Sequence, residues 1–344
     1  MYFPLVIRYA HLLISLVFML FNMHFIFAKS ENLRLLSEKP VDGMSLGNLS
    51  GIAVCRQHWW AISDKDDRHI YLLKEKANRF IASVIPLPHI PALKQPLGKK
   101  LFSLLLANHL DFEDISCDQA GTIYLVSELN QHVLTVNSSL TQAQWLNMPL
   151  RLWQEVNRAH LLQQVNAGFE GLAVDPTGRE LWLFAERNHR GIVWLKKIDS
   201  KWICAQQNCV ILSENYLAHA PAVLNAPASA VDFSSGMYFI DKLFTLERLT
   251  HQVCRRNVLS AAVEKCWSFA NSVLANPGMR YGLYPFGQAE AMWMNEKNLW
   301  IGIDNNQMAR NKDGEKRPLI YHFQAPSTGS VSYTHLTLPT IYSV

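Results

Sequence analysis

A hairpin pattern returns five times along this 344-residue chain, and that recurrence restricts the fold more than any other feature. The segments open at Leu49 (LSGIAVCRQHWWAISDKD), Asp111 (DFEDISCDQAGTIYLVSELN), Gly168 (GFEGLAVDPTGRELWLFAER), Ser229 (SAVDFSSGMYFIDKLFTLER) and Gln288 (QAEAMWMNEKNLWIGIDNN). Each holds an apolar run, a turn-rich break and a second apolar run, as an antiparallel strand pair would. In the third segment Asp175-Pro176-Thr177-Gly178 supplies the tight turn. RHIYLLKE, HVLTVNS, GIVWLKKI and LIYHFQA read as third strands. Anchored on Ser50, Glu113, Glu170, Asp232 and Glu290, the steps are 63, 57, 62 and 58 residues. A solenoid repeats at a much shorter period, and a sandwich does not repeat at all. The pattern therefore predicts an all-β chain: a β-propeller of five or six blades, about sixty residues per blade, in one domain.

Composition agrees with a large buried core: 49% of residues are hydrophobic and 17% charged, with ten Trp and eleven Tyr. Formal charge is +4, with both signs scattered and no basic run, which argues against a nucleic-acid partner. Two inserts, at 86–110 and 140–165, interrupt the pattern. Within the second, LRLWQEVNRAHLLQQ has helical spacing and predicts a helix over one face.

The chain ends differ from its middle. Residues 1–28 carry Arg8, no acid and an apolar run from Leu12 to Phe27, ahead of Lys29-Ser30. This predicts a secretory signal cut after Ala28, or an uncleaved anchor that would tie the protein to a membrane. The expected location is periplasmic or secreted, with the propeller domain spanning 29–330. At the other end VSYTHLTLPT reads as the in-frame translation of a transposon sequencing adapter, so residues 331–344 are set aside as replacing the natural C-terminus. Were the ring-closing strand lost with that terminus, one blade would stand open.

Six cysteines suit an oxidising compartment. Cys204 and Cys209 flank a short loop and predict one disulfide, and Cys254 and Cys266 predict a second. Cys55 and Cys117, in apolar strands, read as buried thiols or as a pair. None has zinc-site spacing.

The second strand of each segment ends on an acid: Asp64, Glu128, Glu186, Glu247 and Asp304, lying 14 to 16 residues beyond the first anchor. In a propeller the innermost strand lines the central channel and the next returns antiparallel, so both anchor sets fall at one rim. Carboxylates crowded in this way must be protonated, paired or metal-bound, and hard cations such as Ca²⁺ take several such oxygens. Lys65, Arg187 and Arg248 directly follow three of the acids. Strand alternation predicts that these bases and the acids before them face opposite ways.

The stretches LSGIA…AISD, DFEDIS…LVSE, GFEGLAVDPTGRELWLFAER and AEAM…LWIGIDNN resemble the phytase-like family, described as having esterase-like activity of phytase, from about Leu49 to Phe323. The resemblance implies an exported bacterial propeller that hydrolyses phosphoesters or other esters with a divalent metal. Because propeller phytases hold substrate phosphates with calcium, Ca²⁺ is the expected ion. It carries over Glu113, Glu170 and Glu290 with the strand-end acids Asp64, Glu128, Glu186 and Asp304. Two departures stand out: Ala289 replaces a Phe of the other units, and Ser50 replaces an acid. No Lys and Arg cluster suits a highly phosphorylated inositol.

The resulting expectation is a monomer acting on a small-molecule ester or phosphoester. Glu113, Glu170 and Glu290 are its catalytic residues, and these with Asp304 its metal ligands. Asp64, Glu128, Glu186, Arg187, Glu247, Arg248 and Asp304 are its binding residues. The alternatives are a non-catalytic propeller that binds a ligand or protein, and a gluconolactonase-like lactone hydrolase. No Gly-x-Ser-x-Gly elbow and no phosphate-cradling Gly loop is present.

Overall fold

Strand pairing follows the recurring pattern. The structure, a computed structural model, describes residues 31–44, 48–93, 109–164, 167–187, 189–225, 227–282 and 288–326. The expected leader at 1–28, the tail at 331–344 and residues 94–108 of the first insert lie outside the described residues. Every element below belongs to the unit that begins at Asn32.

Among the described residues, five antiparallel meanders succeed one another. Unit 1 runs Gly51–Cys55, His58–Ile62, His69–Glu75, Phe80–Pro86, and unit 2 runs Phe112–Cys117, Ile123–Ser127, His132–Val136, Ala143–Trp145. Unit 3 pairs Phe169–Val174, Glu180–Ala185 and Arg190–Ile198, with Lys201–Cys204 and Val210–Glu214 sharing the outer edge. Unit 4 runs Ser235–Phe239, Lys242–Glu247, Gln252–Asn257, Val263–Ser268. Unit 5 runs Ala289–Met294, Asn298–Ile303, Leu319–Gln324. Its outer strand is Leu35–Asp42, from near the start of the chain. The strand completing this last sheet is therefore not a C-terminal one, which corrects the expectation that an altered C-terminus leaves a blade open.

The first strands lie side by side in chain order, and that of unit 5 packs back against that of unit 1, so they close a cycle. Each sheet has two apolar faces, and each face is shared with a neighbour. Ile70 meets Leu134 between units 1 and 2, and Val126 meets Leu172 between units 2 and 3. Trp182 meets Phe233 between units 3 and 4, Leu246 meets Met292 between units 4 and 5, and Ile320 meets Tyr71 between units 5 and 1. Five cores around one axis explain why the inner strands read apolar on both faces; in Phe169–Val174 every residue is buried.

The waist of that axis is narrow. Gly51, Asp114, Gly171, Ser235 and Ala291 occupy the same register in the five first strands, four of them small. A Cβ on Gly171 would come within 3.0 Å of Gly236 N and of Ser235. The room goes to the fifth side chain. Asp114 Oδ1 accepts Ile115 N–H at 2.8 Å, and Oδ2 accepts Leu172 N–H at 3.0 Å, Ser235 Oγ–H at 3.0 Å and Gly236 N–H at 3.4 Å. One buried carboxylate thereby ties units 2, 3 and 4.

The expected helix forms at Leu150–Arg158, capped at its start by proline geometry, and turns Leu152, Glu155 and Val156 inward. Glu155 accepts Cys209 N–H at 2.5 Å, so the helix packs on the outer edge of unit 3. The cysteines form Cys204–Cys209, Cys254–Cys266 and Cys55–Cys117. The last is a disulfide, not a pair of buried thiols, and it joins the first strands of units 1 and 2. No helix among the described residues is long and apolar enough to cross a membrane.

Two stability outcomes follow. Cys55–Cys117 closes a span of 62 residues, so replacing both by Ser is expected to lower unfolding free energy by about 4 kcal/mol in denaturant titration. Asp114→Ala strands four donors at the waist and should cost at least about 3 kcal/mol in the same assay.

Candidate functional site

The rim of the axis is built by a repeated irregularity. In units 2, 3 and 5 the ladder skips one residue of the first strand, and the skipped residues are Glu113, Glu170 and Glu290. A bulge re-aims its side chain, here out of the alternating pattern and into the mouth. Ser50 and Ser234 stand at the same place in units 1 and 4, where their N–H groups reach Ile62 O at 3.2 Å and Leu246 O at 3.0 Å. One residue after each partner strand, or two in units 1 and 4 counted from the last paired position, come Asp64, Glu128, Glu186, Arg248 and Asp304.

Unit 4 corrects the sequence alignment. Ser234, not Asp232, matches Glu170, and Arg248, not Glu247, matches Glu186. Asp232 falls two residues earlier, level with Asp111. Glu247 points away from the mouth, where Arg190 Nη1 holds it at 3.0 Å and Arg256 Nη2 at 2.7 Å. Burial works to raise the Glu247 pKa, but the two guanidiniums outweigh it and hold the group below the usual carboxylate range. The alternation expected of the basic neighbours holds in unit 4, where Glu247 ends its strand facing away from the mouth and Arg248 turns into the rim. It fails in units 1 and 3, where acid and base lie beyond the strand end and Lys65 reaches Asp64 and Arg187 reaches Glu186.

The carboxylates gather in two groups of three, each with ligand oxygens within 4.8 Å of one another: Asp64, Asp111 and Glu113, then Glu128, Glu170 and Glu186. The expected quartet is thus divided, with Glu113 and Glu170 in separate groups and Glu290 and Asp304 in neither. Glu290 is paired with Arg248, which also reaches Glu186 at 2.5 Å and Asp232 at 2.9 Å. Asp304 accepts Asn306 N–H at 2.7 Å. Glu128 accepts Gly168 N–H at 2.9 Å, and Asn48 donates to Asp64 at 3.2 Å. Asp111 was missed in the sequence; its signal is its place two residues before Glu113, with φ at 55°.

Burial is the first cause of raised pKa values across the rim. It lifts Asp111 to about 7, with repulsion from Glu128 and Asp64 adding. Glu113 and Glu170 rise well above the ordinary range, each further pushed by neighbouring carboxylates. Glu186 reaches about 7 and Glu290 about 8 although Arg248 works against both, and Asp304 reaches about 6. Glu186 Oε2 is buried without any hydrogen-bond partner.

That orphaned oxygen, within an all-carboxylate set, tests the fit of a metal. Hard oxygen donors suit Ca²⁺, Mg²⁺ or Mn²⁺ and offer nothing that selects a softer ion. The residues present fit such an ion. A further convergence of Glu155 with Cys204 and Cys209 does not, because its sulfurs are in a disulfide.

Comparison with known proteins is consistent with part of the sequence reading. Residues 44–192, the first two units and the opening hairpin of the third, match the family model described as "Phytase-like: Esterase-like activity of phytase". No curated protein matches the chain. Similar solved structures include aldose sugar dehydrogenase from Streptomyces coelicolor in its PQQ-bound form, at 9% identity and TM-score 0.44, covering 85% of this chain and 98% of that one. A gluconolactonase from Xanthomonas campestris aligns at 10% identity and TM-score 0.41, covering 86% and 88%. Glutaminyl cyclase from Myxococcus xanthus aligns at 9% identity and TM-score 0.46, covering 85% and 97%.

The raised carboxyl values fix a pH response. A carboxyl that binds its proton more tightly when folded stabilises the fold at low pH, and that stability is lost as pH rises through the folded pKa. His251, held down to about 4 by burial, acts oppositely but only below about 6.5. Between pH 6.5 and 8 the rim dominates. With chelator present, unfolding free energy should fall by at least about 1 kcal/mol across that window, measured by urea titration.

Proposed function

We propose that the chain is an exported five-bladed β-propeller hydrolase that acts on a small ester or phosphoester, with a divalent cation at its acidic rim. The observation that carries this reading is the pair of carboxylate triplets, one of which holds the unpartnered Glu186 Oε2. The closed cycle of first strands supports the propeller, and the match at 44–192 supports the esterase or phytase-like chemistry. Three disulfides support an oxidising, periplasmic or secreted setting.

In this proposal Asp64, Asp111 and Glu113, and beside them Glu128, Glu170 and Glu186, hold cation, with Ca²⁺ the first candidate. A bound divalent ion would neutralise substrate oxygens and make a water more acidic. Glu290 lies outside both triplets, keeps part of its surface open, and holds a proton more tightly than an ordinary glutamate because burial outweighs the pull of Arg248. It is the proposed donor to the leaving oxygen, and Arg248 beside it steadies negative charge on the substrate. The rim cations Lys65, Arg187 and Arg248 are each engaged by carboxylates, which favours a small substrate over a highly phosphorylated inositol.

One observation favours a second reading, a non-catalytic binding propeller. Arg248 bridges Glu186, Asp232 and Glu290 of three units, so this arc of the rim already works as an ion-pair lock. Two variants separate the readings. After chelation, added Ca²⁺, Mg²⁺ or Mn²⁺ should raise the melting temperature saturably, and Glu170→Gln should abolish the rise. Glu290→Gln should keep the rise yet lower turnover of p-nitrophenyl esters or phosphate by about 100-fold. A rise without turnover under any ion supports the binding propeller, and no rise with any ion sinks the metal reading.

A further inference from the structure

Four of the five units place a large apolar side chain just before the rim position held by Ser50, Glu113, Glu170 or Ser234: Leu49, Phe112, Phe169 and Phe233, all essentially fully buried. Unit 5 places Ala289 there. A cavity lies there, walled by Ala289 and Ile303, the residues just before Glu290 and Asp304 in the chain, with Phe269 and Met279. It is small, with room for about two water molecules.

The walls of this cavity carry three unsatisfied polar atoms: His251 Nδ1, Tyr281 Oη and Gln288 Nε2. His251 is 2% exposed and Tyr281 5%, so bulk water does not serve them freely. Burial holds the His251 imidazole neutral, so one ring nitrogen carries the proton and the other accepts, and the unpartnered Nδ1 can take the accepting role. Tyr281 and Gln288 supply donors. The wall holds no carboxylate to neutralise a cation. The Arg280 guanidinium is taken by Leu274 O at 2.9 Å and Val223 O at 3.0 Å, and it would repel a cation. An anion would lie against the residues just before the acids Glu290 and Asp304.

We propose that this cavity is a binding pocket for a short, uncharged, oxygen-bearing organic group of acetyl or hydroxyethyl size. Tyr281 and Gln288 donate to its oxygen, His251 accepts from a hydroxyl where one is present, and Ala289, Ile303 and Met279 cover its carbons. The pocket exists because Ala289 stands where the other units carry Leu or Phe. It does not require the rim to be hydrolytic.

The test is saturation-transfer NMR on the full chain with acetamide, methyl acetate and ethylene glycol as millimolar probes. Wild type and Glu170→Gln should both give transfer. Ala289→Phe, which fills the cavity as Phe169 does in unit 3, should reduce it about tenfold or more without lowering the melting temperature. Tyr281→Phe should weaken binding of the oxygenated probes about tenfold while leaving the cavity in place. Should Ala289→Phe fail to fold, Tyr281→Phe decides alone. Transfer that persists unchanged in these variants, or that is absent from wild type, overturns the proposal and assigns the cavity to water.

Discussion

The Asp114 carboxylate at the waist is the interaction on which the rest of the arrangement depends. Its four donors come from three units, and each donor is a backbone or short side-chain group with no freedom to follow if the units slide. A radial array of sheets is otherwise held by apolar faces, whose attraction is non-directional and so tolerates small sliding of one sheet on the next. Directional bonds to one point on the axis remove that tolerance. Leu172 lies two residues beyond Glu170, Ser235 directly follows Ser234, and Glu113 directly precedes Asp114. Fixing those bonds therefore fixes the bulges and aims their side chains. Burial pushes the Asp114 pKa up while the four donors pull against it, so the group sits under opposed forces in the narrowest part of the fold.

The rim above the waist trades stability for charge density. Asp64, Asp111, Glu113, Glu128, Glu170 and Glu186 belong to units 1 to 3 and leave an excess of carboxylate on that arc. Units 4 and 5 answer with Arg248, whose pKa is raised because four surrounding carboxylates outweigh its burial. Burying a charge among like charges is costly unless a counter-ion completes it. Arg248 answers Asp232 and Glu290 on one arc, whereas on the other six carboxylates share Lys65, Arg187 and the reach of Arg248 to Glu186. That asymmetry, more than the number of acids, is what favours an external cation on units 1 to 3.

Much of this was legible in the sequence because the repeat is strong. Strand pairs, third strands and the helix at Leu150–Arg158 fall where periodicity and turn residues put them. The aligned glutamates Glu113, Glu170 and Glu290 were found because a bulge costs one residue in the same place in three units. Unit 4 misled for a physical reason. Its rim position holds Ser234 and its strand end holds Arg248, so an alignment that sought acids drifted to Asp232 and Glu247. The two-residue turn at Ile240-Asp241, with both φ positive, sets a spacing of 14 residues from Ser234 to Arg248, the same as Ser50 to Asp64 across the turn at Arg56-Gln57. Turn length, read before residue type, gives the right register. The closing strand Leu35–Asp42 was invisible because its partner, Leu319–Gln324, lies some 280 residues away and no local pattern joins them.

The same reasoning explains why unit 5 is the exceptional one. It is closed by a strand from the other end of the chain, and that strand also pairs in parallel with Phe80–Pro86 of unit 1 at Val41 and Asp42. A sheet anchored on both flanks can lose a core side chain more safely than one held on a single flank. Trp59 of unit 1 packs edge to face on Trp293 and Trp300 of unit 5, with ring centroids 5.1 and 5.0 Å apart, and those two rings lie tilted on one another at 5.2 Å. On the opposite face Ala289 leaves its gap toward unit 4, where His251 and Phe269 stand. Apolar burial on one side of the sheet thus offsets the unfilled space on the other. The gap is walled by the residues just before Glu290 and Asp304, where a fold maximising stability alone would place another Phe.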